Sequence, residues 1–229
     1  MTSVVPCSGT QPQTIMTTFQ EIHDTLYATF GPQDWWPADS PFEVAVGAVL
    51  TQNTAWTNVE RAIANLRGAG LLAPAPLHRV PEAELADHIR PAGYFNVKAR
   101  RLKALCHFLL ETADGDLEGL AGYPTEDLRK RLLGVKGVGE ETADSILLYG
   151  LDRPVFVVDA YTRRIFQRLG LLEAGLPYGA IQERFQAALP RNRALFNEYH
   201  ALIVALGKDY CKPKPRCETC PLRDRCGGP

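Results

Sequence analysis

Four of the chain's six cysteines lie between residue 211 and the C-terminal residue 229, as Cys211-x5-Cys217-x2-Cys220-x5-Cys226, with no histidine among them. Thiolates at such spacing are metal ligands. A disulfide pair would need an oxidising compartment, and a structural zinc more often uses two C-x2-C pairs. One C-x2-C flanked by five-residue gaps suits four thiolates around a cubane [4Fe-4S] cluster, with zinc as the alternative. Cys7 and Cys106 stand apart and read as a tail thiol and a core thiol.

A second group lies in Leu132-Leu133-Gly134-Val135-Lys136-Gly137-Val138-Gly139, followed by Glu140-Glu141-Thr142-Ala143-Asp144. It reads as helix, tight hairpin, helix. Gly137 and Gly139 permit positive φ and bare backbone, so N–H groups at the start of the second helix can face an anion, DNA phosphate being the obvious one. A glycine-rich turn inside a helical bundle is the plain alternative. Downstream, the apolar run Pro154-Val155-Phe156-Val157-Val158 ends in Asp159, where a helix would start. Such an Asp is ordinarily an N-cap, and the same helix-end N–H groups hold its carboxylate ionised at neutral pH. An ionised carboxylate beside a sugar stabilises a developing oxocarbenium ion or orients water against it.

The elements that position these residues are helical. Apolar residues Phe19, Ile22, Leu26 and Phe30, stopped by Gly31-Pro32, predict a helix over 15–30. Ser40-Pro41-Phe42-Glu43 is a capping box with proline at the first helical position, opening a helix to Leu50. Further helices are predicted over 55–69, 81–89, 96–113, 125–133, 140–150, 160–169, 177–188 and 193–210. Only Val155–Val158 reads β-like, too short a run for a sheet, so the fold class is all-α.

With 229 residues, 45% hydrophobic and 22% charged, the chain has ordinary globular usage, which excludes disordered, collagenous and coiled-coil classes. No positively charged leader precedes an apolar stretch, and no window reaches the roughly 18 apolar residues of a membrane span. The expectation is a soluble, cytoplasmic protein that does not bind membrane. Net charge is −1, but residues 1–90 hold 4 Lys/Arg against 9 Asp/Glu and residues 91–229 hold 21 against 17. A nucleic-acid binder with this balance gathers its cations on one face. Candidates are Lys98, Arg100, Arg101 and Lys103, then Arg163 and Arg164, and then Lys212, Lys214 and Arg216 in a loop that a cluster would hold rigid. Solvated helix faces are the plain alternative.

The hairpin, the Asp after it and the four-cysteine segment, in this order, resemble the endonuclease III superfamily of helix-hairpin-helix DNA glycosylases, over about residues 20–226. The resemblance implies two helical domains with a cleft between them. One is a six-helix barrel with the hairpin, over 43–153; the other joins 1–42 to 154–229 and carries the cluster. It further implies double-stranded DNA bent across the cleft with the damaged nucleotide flipped out, and Asp159 as the catalytic aspartate. Lys136, Gly137, Val138 and Gly139 would face DNA phosphate. Gln52 and Asn53 stand where members push a polar side chain into the hole left by the flipped nucleotide; by itself Gln52 is an ordinary helix cap.

Two departures refine the resemblance. Bifunctional members carry a lysine in a G-V-G-x-K-T-A pattern, and here that position is Glu141, which cannot form a Schiff base. The first cysteine gap is also five residues rather than the usual six. Trp35-Trp36-Pro37 and Thr51-Gln52-Asn53-Thr54-Ala55-Trp56 look most like the 3-methyladenine DNA glycosylases of the superfamily, in which these aromatics stack on the flipped base. Stacking on electron-rich rings favours a cationic alkylated purine; packing in a core is the alternative for Trp35, Trp36 and Trp56. Lys208 matches a pocket-side lysine of that subfamily. The expected protein is a monomeric, monofunctional glycosylase of base excision repair that releases alkylated purines and lacks lyase activity. The competing readings are an endonuclease III-like enzyme for oxidised pyrimidines, a mismatch glycosylase, and a catalytically idle lesion-binding protein.

Overall fold

The computed structural model describes residues 12–228, so Cys7 lies outside it. In chain order the helices are α1 Pro12–Phe30, α2 Pro41–Leu50, α3 Trp56–Gly68, α4 Pro74–Arg79, α5 Glu82–His88, α6 Phe95–Ala113, α7 Thr125–Leu133, α8 Glu140–Ser145, α9 Ala160–Arg168, α10 Tyr178–Ala188 and α11 Arg193–Asp209. A π-helical turn, Ile146–Gly150, continues α8. No strand occurs among the described residues, and Val155–Val158 is a buried extended segment. Helix α4 is absent from the predicted set. Its prolines Pro74 and Pro76 resemble loop punctuation, yet both fall in the first turn, where a missing N–H costs nothing. No helix among the described residues is long and apolar enough to cross a membrane.

The chain divides into two compact units, residues 1–34 with 158–229 and residues 35–157. In the second, α2 is the central element. Its sequence PFEVAVGAVL is apolar all round, and every residue from Phe42 to Leu50 is buried. Helices α3, α6, α8 and the π turn pack on it, while α4 and α5 pack on α6. Ser40 caps α2 by accepting from the Glu43 N–H at 3.2 Å, but the Glu43 carboxylate does not complete the capping box. It accepts instead from Arg67 of α3 at 2.7 and 2.8 Å, because the helix is too deeply buried to leave an acid unpaired. Residues 35–42 belong to this unit, since Trp36 packs against Trp56 and Tyr149.

In the first unit α1 packs on α10 and α11, and α11 packs on α9. Phe19, Phe166, Phe185 and Tyr199 form its aromatic centre, with ring centroids as close as 4.7 Å. The buried Tyr199 hydroxyl donates to the Phe19 carbonyl at 2.9 Å, so this phenol is satisfied as a buried polar group must be.

Candidate functional site

Asp159 is the N-cap of α9. Its Oδ1 accepts from the Thr162 backbone N–H at 2.7 Å and from the Thr162 hydroxyl at 2.9 Å. Its Oδ2 lies 3.6 Å from Nε2 of His200, a buried residue of α11. Burial works to raise the carboxyl pKa, but the nearby His200 and the two Thr162 donors outweigh it and hold Asp159 below the usual carboxylate range. The cap and the ionised carboxylate read from sequence are therefore one and the same. His200 escapes sequence reading because a single histidine in an apolar helix carries no spacing signal. Its approach depends on Gly207, where any Cβ would collide with the ring of Tyr161 on α9. Lys208, next to Gly207, is exposed in the last turn of α11.

The hairpin joins α7 to α8, with the buried Asp144 gripped by Arg129 through bonds of 2.7 and 3.0 Å. Gly137 takes φ +91°, whereas Gly139 caps α8 in extended backbone and needs no glycine conformation. Lys136, Gly139 and Glu141 are exposed. Val138 is buried and its N–H donates to the Val135 carbonyl at 3.0 Å, so this residue anchors the hairpin and offers no free donor.

Across the same unit, Gln52 donates to the Thr142 hydroxyl at 2.8 Å and accepts from Arg101, whose side chain lies against Gly137. Asn53 is exposed at φ +54°. The turn is held from beneath by Lys98. Its buried ammonium donates to the carbonyls of Leu50 and Ala92, both at 2.8 Å, and burial together with the nearby Arg101 charge lowers its pKa to about 8. Lys98 is thus a buried cap, not the surface cation its charge run suggests. Arg163 and Arg164 likewise turn inward, to the carbonyls of Leu176 and Cys211 at 2.7 and 2.8 Å. Tyr94, 71% exposed in left-handed backbone, borders this turn through Gly93 and Thr54 and was not singled out from sequence.

The three tryptophans form one cluster, with Trp36 5.5 Å from Trp35 and 5.0 Å from Trp56, and 5.1 Å from Tyr149, a fourth ring. Gly47 admits Trp36: a Cβ there would stand 3.0 Å from the indole Cζ2. Trp36 and Trp56 pack against the core of the unit, and the Trp36 indole N–H, shut off from solvent, meets no acceptor among the described residues.

Cys211, Cys217, Cys220 and Cys226 line one pocket with Arg168, Arg216 and Arg223. Burial raises the Cys220 thiol pKa, and repulsion from the other three thiolates raises it further, so the four sulfurs sense one another. Four thiols gathered around one pocket suit the corners of a cubane. Arg168 donates to the Cys211 sulfur at 3.3 Å and to the Lys212 carbonyl at 2.7 Å, tying the segment to α9. Lys214 and Arg216 are exposed there and Lys212 is half-buried. Cys106 is fully buried, its thiol pushed up to about 12 by burial, as a core thiol would be.

An all-helical chain with this hairpin and this cysteine segment defines a class, the helix-hairpin-helix DNA glycosylases. The chain matches the HhH-GPD superfamily base excision DNA repair protein family over residues 46–191 and the iron-sulfur binding domain of endonuclease III over 214–226. It belongs to the HhH-GPD superfamily, is a base excision repair DNA glycosylase and carries a [4Fe-4S] cluster. It is 48% identical over 208 residues to "Putative DNA repair glycosylase MJ1434" of Methanocaldococcus jannaschii, covering 90% of this chain and 94% of that protein. It is 30% identical over 187 residues to endonuclease III of Thermotoga maritima, covering 81% and 82%. Among solved structures, an endonuclease III–DNA complex aligns with TM-score 0.80 at 23% identity over 93% and 95% of the two chains. The H. pylori 3-methyladenine DNA glycosylase (MagIII) bound to 1,N6-ethenoadenine aligns with TM-score 0.71 at 27% identity over 87% and 98%.

Proposed function

We propose that this glycosylase binds duplex DNA as a monomer and hydrolyses the N-glycosidic bond of alkylated purines of the 3-methyladenine type, leaving an abasic site uncut. The observation that carries this reading is the edge-to-face group of half-buried Trp35, Trp36 and Trp56, a concentration of electron-rich rings of the kind that favours a cationic base. The likeness to a 3-methyladenine glycosylase at 27% identity supports it. An alkylated purine leaves as a neutral base, so the enzyme needs little acid catalysis. Asp159 then does the remaining work: held ionised, it stabilises the cationic sugar and guides water to C1′.

Glu141, exposed in the first turn of α8, offers a carboxylate where bifunctional relatives have an amine, so no Schiff base forms there. Lys136, Gly137 and Gly139 of the hairpin contact phosphate, and Gln52 and Asn53 enter the gap left by the flipped base; Lys208 lines the base pocket. Cys211, Cys217, Cys220 and Cys226 hold the cluster, which fixes the shape of a loop presenting Lys212, Lys214 and Arg216 to the backbone.

The test is base release from methylated duplex DNA, beside duplexes carrying thymine glycol, uracil opposite guanine, or adenine opposite 8-oxoguanine, scored before and after hot alkali. Release of 3-methyladenine with breaks only after alkali is the expected result. Cleavage at thymine glycol without alkali would establish the second reading, an endonuclease III-like enzyme for oxidised pyrimidines, which the 30% identity to the Thermotoga protein favours.

A further inference from the structure

We propose that His200 is the positioning residue for Asp159: from α11 it stands against the carboxylate oxygen that α9 leaves free and fixes its aim. The inference rests on the reading of Asp159 as the catalytic carboxylate and adds a residue to it.

The two oxygens of Asp159 are held differently. Oδ1 has two donors from its own helix, the Thr162 N–H and hydroxyl. Those bonds are local and would form in any N-capped helix. Oδ2 is the oxygen left for chemistry, and it lies 3.6 Å from Nε2 of His200, whose side chain is only 7% exposed. An imidazole so buried does not drift, and its register against α9 is set by the Gly207–Tyr161 contact, where no side chain larger than hydrogen fits.

The neighbours leave His200 as the ionisable group that acts on this carboxylate. On α10, the Tyr178 hydroxyl accepts the Val158 N–H at 3.2 Å. On α1, His23 packs edge-on against Tyr199 and bonds Asp24, and Tyr199 donates to Phe19. On α9 itself, Arg163 and Arg164 donate to the carbonyls of Leu176 and Cys211. On α11, Glu198 accepts the Gln33 N–H at 2.9 Å. Burial pushes the Asp159 carboxyl up, and His200 is the largest of the effects pulling it down. With His200 gone, Thr162 alone opposes burial, so the carboxyl would protonate at a higher pH and its free oxygen would lose its constraint.

The experiment measures single-turnover base release from methylated duplex against pH for the wild type, His200→Leu, His200→Gln and Asp159→Asn. Affinity for a duplex with an abasic-site analogue and absorbance near 400 nm serve as checks on binding and folding. His200→Leu is expected to slow release roughly ten- to a hundred-fold near neutral pH, the order of loss that misplacing a reacting group by about 1 Å produces, with duplex affinity retained. His200→Gln, which keeps an N–H donor but removes the imidazole, is expected to recover most of that rate while its acid limb stays about one pH unit above wild type. A wild-type rate and acid limb in His200→Leu, beside an inactive Asp159→Asn, would overturn the proposal and leave the role of Asp159 intact. Should His200→Leu not fold, an unshifted acid limb in His200→Gln would overturn it alone. Full activity in Asp159→Asn would remove both.

Discussion

Each unit buries an ionisable group whose pKa is lowered, Asp159 in the first and Lys98 in the second. The direction is shared but the meaning is opposite, since a lowered pKa favours the charged form of an acid and disfavours that of a base. Asp159 is met by an imidazole and by the N–H and hydroxyl of Thr162 at the start of a helix, so burial loses to its partners. Lys98 is met by two neutral carbonyls and by the like charge of Arg101, so burial wins. The first arrangement keeps a carboxylate ionised, the charge the proposed chemistry needs; the second uses an ammonium, still charged at neutral pH, to pin the Gln52 turn.

The sharpest way to break this contrast is Asp159→Asn. It keeps the cap geometry but removes the charge, and base release should fall by ~3 kcal/mol of transition-state stabilisation or more, a hundred-fold or greater. A loss of twofold or less in single-turnover rate would show that the preserved charge has no catalytic use.

For Lys98 the sign runs the other way. Its folded pKa is about 8 and its unfolded value near 10.4, so between these the unfolded chain binds more protons and stability rises with pH. Below pH 8 both states are charged and the cost is constant. The difference between neutral pH and the top of that window is expected to be at most about 3 kcal/mol. Denaturant melts of wild type and Lys98→Met across pH 7–10.5 would show the slope in one and its absence in the other; parallel curves would mean that Lys98 is solvated.

Trp36→Ala should cost less and act differently. Stacking on a base is worth ~1–3 kcal/mol, so the ratio of kcat/KM for methylated against neutral bases should fall roughly ten-fold, while Asp159→Asn lowers all bases alike. An unchanged ratio would leave the tryptophans as packing only. Gly47→Ala is the mildest probe. Its methyl would press on the Trp36 ring, and an overpacked core loses ~1 kcal/mol or slightly more, read as a lower Tm with altered tryptophan fluorescence.

Most helices were legible because their signals are local. The apolar spacing of α1, the Ser40-Pro41 start of α2 and the paired glycines before α8 each act within a few residues. The signal failed for α4, where proline in a first turn imitates a loop, and for the Glu43 half of the capping box, where burial diverted the carboxylate to Arg67. Charge runs misled for the same reason. Lys98, Arg163 and Arg164 read as surface cations, but their partners are carbonyls far away in sequence.

By itself the sequence determined the helical class, the hairpin, the cysteine segment and the position of Asp159, because these follow from short-range spacing and from residue chemistry that no neighbour alters. Only the tertiary structure decided which groups meet across long separations. It set His200 against Asp159, Lys98 beneath the Gln52 turn and Tyr149 against Trp36. Such meetings depend on how closely two helices approach, and that distance is set by close contacts such as Gly207 with Tyr161 or Gly47 with Trp36, which leave no periodic mark along the chain.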